Sequence, residues 1–191
     1  MHSIADYFEF HKKGPSDIHE HLETLRQYAA QCDHVTEMGV RTVVSTWAFL
    51  AAQPKKLVSI DINPVPIDYA QRVAASSGIE LEFRLGDTAA AGFEIEETDL
   101  LFIDTWHIYD QLKHELQLHS HKARRFIVMH DTTTYGEVGE SHTYDCEIRP
   151  VAQRTGLWPA IEEFLDGNTV WELRERFHNN NGLTILARRQ P

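Results

Sequence analysis

Seven short apolar runs rich in β-branched residues alternate with helical patterns, and this alternation restricts the fold more than any other feature of the sequence. The runs cover Val35–Val40, Leu57–Ile62, Leu81–Leu85, Leu100–Ile103, Phe126–Met129, Val170–Phe177 and Leu183–Ala187. Strand–helix alternation predicts a parallel sheet with helices on both faces, because parallel neighbours need a long crossover connection. Only a short turn around Asn179–Gly182 separates the last two runs. We therefore predict an α/β sandwich with seven strands, mostly parallel, ending in an antiparallel hairpin.

The segments between the runs carry apolar residues at helical spacing. The predicted helices cover 18–29, 47–51, 66–77, 108–116 and 160–165. Ser16 and Asp17 are the expected cap of the first of these helices, and Ser45 or Thr46 of the second. The pattern thus places one helix between most consecutive strands.

Composition is that of an ordinary globular domain and excludes several classes of protein. The 191 residues are 42% hydrophobic and 25% charged, and the net charge is −11. This charge repels phosphate backbones, so no nucleic acid partner is expected. No apolar run reaches the ~20 residues that span a bilayer, and the N-terminus lacks the apolar core of a signal peptide, so no membrane association is expected. The two distant cysteines, Cys32 and Cys146, favour a reducing, cytoplasmic location.

Aspartates stand at the ends of four predicted strands, at Asp61, Asp87, Asp104 and Asp131. The carboxyl ends of parallel strands share one edge, where α/β proteins bind ligands. A single aspartate there is equally well a helix cap or a turn residue. A row of four predicts a ligand rich in hydroxyl and amino groups, such as a ribose and an adenine. A phosphate ligand is disfavoured, because the sequence has neither GxxxxGKS/T nor GxGxxG.

Several short segments together resemble the class I S-adenosylmethionine-dependent methyltransferases. The segments are Glu37–Arg41, Ser45–Trp47, Ser59–Asp61, Gly86–Thr88, Phe102–Asp104 and His130–Thr132. More narrowly, the chain resembles the branch of cephalosporin hydroxylase-like proteins and metal-dependent sugar O-methyltransferases. The resemblance covers about residues 16–189. It implies a Rossmann-like fold with S-adenosylmethionine as the cofactor.

The resemblance also implies where the cofactor lies. The turn of Glu37 and Gly39 is expected near its methionine part, Asp61 at the ribose hydroxyls, and Asp87 with Thr88 near the adenine. Asp104 is expected where cofactor, metal and substrate meet.

The turn after the first strand departs from the family pattern at one position. Val43 stands where many relatives carry a second glycine. Ser45 and Thr46, at the start of the next helix, remain candidates for binding the methionine carboxylate through hydroxyl and N–H groups.

A divalent metal is the second cofactor that the resemblance implies. Asp104, His130 and Asp131 are its expected ligands, with Mg²⁺ or Mn²⁺ as the ion. His107 is the candidate general base, because an imidazole titrates near neutral pH. The alternatives are that His107 caps a helix or binds a backbone carbonyl, and that His130 is structural or supports a ligand.

The resemblance divides the chain into four parts of one methyltransferase-like domain. They are an N-terminal helical cap over 1–34, a cofactor-binding half over 35–131, a substrate loop over 132–157, and a helix with the terminal hairpin over 158–191. A plain surface loop is the alternative for the third part. The apolar residues Tyr7, Phe8 and Phe10 indicate either a contact in a homo-oligomer or a cover for the core.

The predicted reaction is transfer of a methyl group to a hydroxyl of a small acceptor, such as a sugar or a glycan end. A metal would hold that hydroxyl and lower its pKa. Two alternatives keep the same fold: a metal-dependent hydroxylase or oxidase, and a catalytically inactive binding protein. Nicotinamide-dependent oxidoreduction is disfavoured by the single glycine of the first turn.

Overall fold

The computed structural model describes residues 3–150 and 155–189, and a seven-stranded sheet forms its centre. The strands are β1 (His34–Met38), β2 (Lys56–Asp61), β3 (Glu80–Leu85), β4 (Thr98–Ile103), β5 (Ala123–His130), β6 (Trp171–Phe177) and β7 (Leu183–Arg188). Their order in the sheet is β3-β2-β1-β4-β5-β7-β6. Strands β1 to β5 are parallel, and β7 lies antiparallel to both β5 and β6. The predicted sheet and its terminal hairpin are confirmed.

Helices cover both faces of the sheet. They are α1 (Ile4–Lys13), α2 (Leu22–Ala29), α3 (Val44–Ala51), α4 (Asp68–Ser76), α5 (Tyr109–His119) and α6 (Leu157–Asp166), with short 3₁₀ turns at His19–His21 and Ser120–Lys122. Helices α1 to α4 pack on one face, and α5 and α6 pack on the other. No helix in the described part of the chain is both long and apolar enough to cross a membrane.

Side chains of the central strands point alternately to the two faces of the sheet and contribute to a hydrophobic core on each face. On β4, Leu100 and Phe102 belong to the core under α1–α4, whereas Leu101 and Ile103 belong to the core under α5 and α6. Successive side chains of a strand point to opposite faces, so a strand covered on both sides is buried along most of its length. This explains the continuous apolar run of β4, whereas β1 and β2 also bury the polar residues Thr36, Glu37 and Ser59.

The N-terminal region differs from its prediction. Ser3 caps α1 with a reciprocal capping box to Asp6, and the sequence pattern did not show α1 as a separate helix. The helix predicted from residue 18 begins only at Leu22, after a 3₁₀ turn that has no side-chain cap. The cause is tertiary, because Glu20 donates its backbone N–H to Asn180 Oδ1 and so belongs to a contact with the β6–β7 turn.

The apolar N-terminal residues mainly cover the core. Phe8 is buried, and the ring of Tyr7 stacks on Trp47 of α3 with centroids 4.4 Å apart. Phe10 alone of the three is largely exposed, at 67%.

Candidate active site

A cavity of about 250 Å³ opens at the carboxyl edge of the sheet, close to the lower end of the ~300–1,000 Å³ usual for small-molecule sites. Residues that follow β1, β2, β3, β4 and β5 all contribute to its wall. The acidic residues of the wall are Asp17, Asp61, Asp87, Asp104 and Asp131. The structure therefore brings together the four strand-end aspartates that the sequence singled out.

Gly39 lets the turn after β1 pass directly over the end of β4. Its φ is +84°, and a Cβ at this position would lie 1.9 Å from the carbonyl oxygen of Asp104. Farther along the same turn, Val43 also adopts a left-handed conformation, with φ 64°. A β-branched residue is strained in that region, which is why glycine suits this position better. Val43 keeps the glycine-like turn while its side chain is buried in the core.

Glu37 lies beneath the cavity. Its buried carboxylate accepts hydrogen bonds from Ser45 Oγ and Ser59 Oγ, both at 2.6 Å, and from Thr46 Oγ1 at 2.9 Å. Ser59 is the register partner of Glu37 on β2, so the pairing of the two strands creates this contact. Burial raises the pKa of Glu37 to about 7, although the three hydroxyls oppose the shift.

The hydrogen bonds of Glu37 change the expectation for two cofactor-binding candidates. Ser45 and Thr46 were expected to offer their hydroxyls to a methionine carboxylate, but both hydroxyls donate to Glu37 instead. Ser45 still borders the cavity, whereas Glu37 and Thr46 are fully buried under it.

Asp61 joins the end of β2 to the turn after β1. Its Oδ2 accepts the N–H groups of Val40 at 2.9 Å and Arg41 at 3.0 Å, and its Oδ1 accepts that of Asn63 at 2.8 Å. A carboxylate offers about four acceptor sites, so one remains for a ligand. The geometry leaves room at Asp61 for one ribose hydroxyl beside these backbone donors.

Asp87 holds the segment after β5 against the end of β3. Its Oδ1 accepts from Ala89 N at 2.9 Å, and its Oδ2 accepts from Glu147 N at 2.7 Å. The neighbouring Thr88 is buried and donates its hydroxyl to Glu115 of α5. Asp87 and Thr88 both border the cavity.

Glu115 is a second buried carboxyl beneath the site, and sequence reasoning missed it. It accepts from Thr105 Oγ1 at 2.8 Å and from Gln111 Nε2 at 2.9 Å, in addition to Thr88. Burial raises its pKa to about 7. Glu115 thus fixes the loops after β3 and β4 from below.

Two aspartates and two histidines form a compact cluster where β4 and β5 end. His107 Nε2 lies 3.1 Å from Asp104 Oδ1 and 3.0 Å from Asp131 Oδ2. His130 Nδ1 lies 3.4 Å from each of the same two oxygens. His107 borders the cavity, whereas the side chain of His130 is only 1% exposed and its Nε2 lies 3.2 Å from the carbonyl oxygen of Asn180.

Beside the predicted ligands Asp104, His130 and Asp131, the structure brings a further candidate ligand, His107, to the cluster. Ligand atoms of Asp104, His107 and Asp131 all lie within 4.8 Å of one another. His107 joins the two aspartates on the cavity side, and His130 supports them from the interior. One oxygen of Asp131, Oδ1, is buried without a hydrogen-bond partner in the described structure. A buried carboxylate oxygen without a partner fits a cation, because desolvating it is otherwise costly.

The cluster also bears on the role of His107 as a base. Burial alone lowers the pKa of His107, but hydrogen bonds to Asp104 and Glu140 outweigh it and raise the pKa to about 10. Against the effect of burial, the imidazoles of His130 and His107 hold the pKa of Asp104 well below its usual range. In the cation-free protein His107 already carries a proton at neutral pH, so in that state it donates hydrogen bonds.

The segment after β5 fixes His107 from above. The ring of Tyr135 stacks parallel on His107 with centroids 4.9 Å apart, and Glu140 Oε2 lies 3.1 Å from Nδ1 of His107. Trp106 Nε1 donates to the carbonyl oxygen of His142 at 2.9 Å. The described residues of the predicted substrate loop thus cover the cluster, and residues 151–154 lie outside the description. Nothing in the spacing of Tyr135 or Glu140 distinguished them beforehand.

Comparison with known proteins rests on structure alone, since no protein-family model and no curated protein matches the sequence. A Staphylococcus aureus protein named as a caffeoyl-CoA O-methyltransferase superimposes with a TM-score of 0.68 at 15% identity, covering 98% of this chain and 93% of that one. A Podospora anserina methyltransferase bound to S-adenosylhomocysteine (SAH) superimposes with a TM-score of 0.60 at 14% identity. The match covers 98% of this chain and 88% of that one.

A third similar structure is the N-methyltransferase NodS from Bradyrhizobium japonicum in complex with SAH. It superimposes with a TM-score of 0.58 at 13% identity, covering 99% of this chain and 100% of that one. The matched structures thus include both O- and N-methyltransferases, so the shared architecture does not choose the acceptor atom. Together with the strand order and the reversed β7, these matches show that the chain has the Rossmann-like fold of the class I methyltransferases.

Proposed function

We propose that this chain transfers the methyl group of S-adenosylmethionine to a hydroxyl oxygen of a small acceptor. The observation that carries the proposal is the convergence of Asp61, Asp87, Asp104 and Asp131 on one cavity beside the Gly39 turn. In that reaction the acceptor oxygen gains the methyl group and loses its proton, and the sulfonium becomes the thioether of SAH. The similar structures that bind SAH support the choice of cofactor.

Each strand end is suited to one part of the cofactor. The open acceptor site of Asp61 suits a ribose hydroxyl, and Asp87 with Thr88 borders the space next to it for the purine. Gly39 lets the turn after β1 lie directly against the end of β4 and borders the cavity. The acidic wall suits the positive charge of a sulfonium and an ammonium group.

We further propose that a divalent cation binds at Asp104, His107 and Asp131. The clustered ligand atoms and the unpartnered Oδ1 of Asp131 support this site. Two carboxylates with one imidazole suit Mn²⁺ better than Mg²⁺. When bound, such an ion supplies a positive charge that lowers the pKa of an acceptor hydroxyl.

The side chains around the cluster position the acceptor. Asp104 is ionised at neutral pH, so it accepts a hydrogen bond from a hydroxyl in the cavity. His130 holds Asp104 and Asp131 from behind, and Glu140 with Tyr135 fixes the plane of His107. Alignment of the oxygen with the methyl group is the main requirement of this reaction, and it is what this packing provides. The acidic wall favours an acceptor with several hydroxyl groups, such as a sugar or glycan end.

We also propose that the reaction takes place in the cytoplasm. Cys32 and Cys146 are both buried and form no disulfide. Unpaired thiols support a reducing cytoplasm as the location.

Calorimetric titration with SAH tests the proposed function. We expect SAH to bind the wild-type protein and Asp61→Asn to bind it roughly 10- to 100-fold more weakly, because the substitution removes a charged hydrogen-bond acceptor. The matched control is Asp99→Asn. Asp99 Oδ2 also accepts two backbone N–H groups, from Asp33 at 2.9 Å and His34 at 3.0 Å, but it lies at the opposite edge of the sheet.

Two results would contradict the proposal. One is no heat from wild-type protein at millimolar SAH. The other is equal SAH affinity of Asp61→Asn and wild type. Stoichiometric iron in protein purified without chelator, together with no SAH binding, would favour the hydroxylase or oxidase alternative instead.

A further inference from the structure

The proposed function assigns no role to one basic side chain of the cavity, that of Arg41. Among the described residues that line the cavity, Arg41 is the single arginine or lysine, and it faces a wall that carries five aspartates. The other basic group of the wall, His107, is already paired with Asp104, Asp131 and Glu140, so Arg41 distinguishes one small region of the cavity from the rest. That region attracts an anionic group, whereas the remaining wall repels it.

The backbone fixes where this cation stands. Arg41 has φ 46°, and its N–H donates to Asp61 Oδ2 at 3.0 Å, so the residue belongs to the turn after β1. The guanidinium pairs with Asp17, yet the side chain remains 74% exposed. Arg41 lines the same cavity as Asp104 and Asp131 of the acid–histidine cluster.

The proposed cofactor carries an anionic group that an acidic wall does not suit. The amino-acid end of S-adenosylmethionine carries a carboxylate next to its cationic groups. The aspartates suit the cationic groups, but they repel the carboxylate. The hydroxyls of Ser45 and Thr46 are already donated to Glu37. His107 also lines the cavity, but its ring nitrogens already contact Asp104, Asp131 and Glu140. Among the cavity-lining residues described, Arg41 is therefore the charged donor left for the carboxylate.

We infer that Arg41 binds the α-carboxylate of the cofactor, and that Asp17 holds the guanidinium at the cavity in the ligand-free protein. A guanidinium matches a carboxylate in plane and in spacing, so the two form paired hydrogen bonds. This assignment rests on the proposed function, because it presupposes binding of S-adenosylmethionine or SAH at this cavity. It adds a residue that selects the amino-acid end of the cofactor.

Two ligands that differ in the amino-acid end test the inference. SAH carries the carboxylate, whereas 5′-methylthioadenosine has the same nucleoside and thioether without it. We expect Arg41→Gln to weaken SAH binding roughly 10- to 100-fold in calorimetry, as for loss of a charged hydrogen bond. The same variant is expected to bind 5′-methylthioadenosine within about twofold of wild type, because the missing contact is to the carboxylate.

Two further variants complete the experiment. Arg41→Lys keeps the charge without the planar pair of donors and is expected to recover part of the SAH affinity. Arg124→Gln is the matched control, since Arg124 pairs with Asp99 at 3.1 Å at the opposite edge of the sheet. It is expected to bind both ligands as wild type does.

The outcomes separate the two proposals. If wild type binds SAH and Arg41→Gln binds it equally well, the inference is overturned while the proposed function stands. If Arg41→Gln loses both ligands to the same extent, the inference is also overturned, because the residue then shapes the site without recognising the carboxylate. If wild type binds neither ligand, the proposed function itself fails.

Discussion

Gly39 shows how little space separates the loops of the candidate site. The backbone of this residue passes so close to Asp104 that any side chain would overlap the carbonyl oxygen of Asp104. Asp104 N in turn donates to the carbonyl oxygen of Met38 at 2.8 Å. The turn after β1 and a candidate metal ligand are therefore held together by direct backbone contact, and a change at one displaces the other.

A substitution at Gly39 measures that contact. Gly39→Ala is expected to lower the free energy of unfolding by more than about 3 kcal/mol, because it adds a steric overlap to the strain of a positive φ. Gly92→Ala is the control, since Gly92 has φ +85° but no neighbouring atom within 4 Å of its Cβ position. It is expected to cost about 1 kcal/mol. If urea unfolding shows an equal decrease in the free energy of unfolding for both variants, the close contact between Gly39 and Asp104 is contradicted.

At the scale of elements, β1 and α3 are joined by a buried carboxyl. Glu37 on β1 is bound by two hydroxyls of α3 and one of β2. Serine and threonine near a helix start usually cap their own helix. Here the N-cap residue is Val43, which has no polar side chain, and the hydroxyls of Ser45 and Thr46 bind the strand beneath the helix. The helix is thereby fixed against the sheet at the end that borders the cavity.

The pH dependence of stability reports on Glu37. Its pKa rises from 4.5 to about 7 on folding, mainly through burial. Its stabilising contribution is therefore complete below the unfolded value and is lost as the pH rises through about 7. Glu37→Gln is expected to remove this loss. The free energy of unfolding of the variant therefore rises relative to that of wild type between pH 5 and 8, by on the order of 3 kcal/mol at most.

Urea unfolding across that pH range is the measurement. Glu172→Gln, in the mostly exposed edge strand β6, is the control and is expected to follow the wild-type curve. Parallel curves for Glu37→Gln and wild type would show that the folded protein does not raise the pKa of Glu37.

For the molecule as a whole, a bound cation is expected to act as a stabiliser. An ion that binds only the folded state adds about 2.7 kcal/mol when its concentration is 100 times its Kd. Mn²⁺ is therefore expected to raise the melting temperature of the wild-type protein, and EDTA to reverse the rise. Asp131→Asn is expected to lose most of the effect, whereas Asp17→Asn, in the same cavity but outside the cluster, keeps it. An equal rise in Asp131→Asn would exclude the cluster as the site.

Local patterns predicted the sheet well. All seven apolar runs became strands. The signal is strongest for the central strands, which are buried on both faces, whereas the edge strands β3 and β6 are partly exposed. The edge that carries the aspartates followed from parallel topology alone. These features depend on short stretches of chain or on a general rule of connection.

The details of the site depend on contacts between distant segments and could not be predicted. Ser45 and Thr46 bind Glu37 because β1 lies under α3. The pKa of His107 is raised because β4 and the segment after β5 bring carboxylates to it, among them Glu140. The late start of α2 follows from a contact with Asn180 about 160 residues away in the sequence. The spacing of residues within one element does not predict these contacts between distant segments.

The position of β7 between β5 and β6 has a consequence for synthesis. During translation β6 leaves the ribosome before β7, yet it has no place in the sheet until β7 arrives to pair with both neighbours. The turn that leads into β7 also supplies the carbonyl oxygen of Asn180 next to His130. The nascent chain therefore cannot complete its sheet before residues 183–188 have emerged from the exit tunnel.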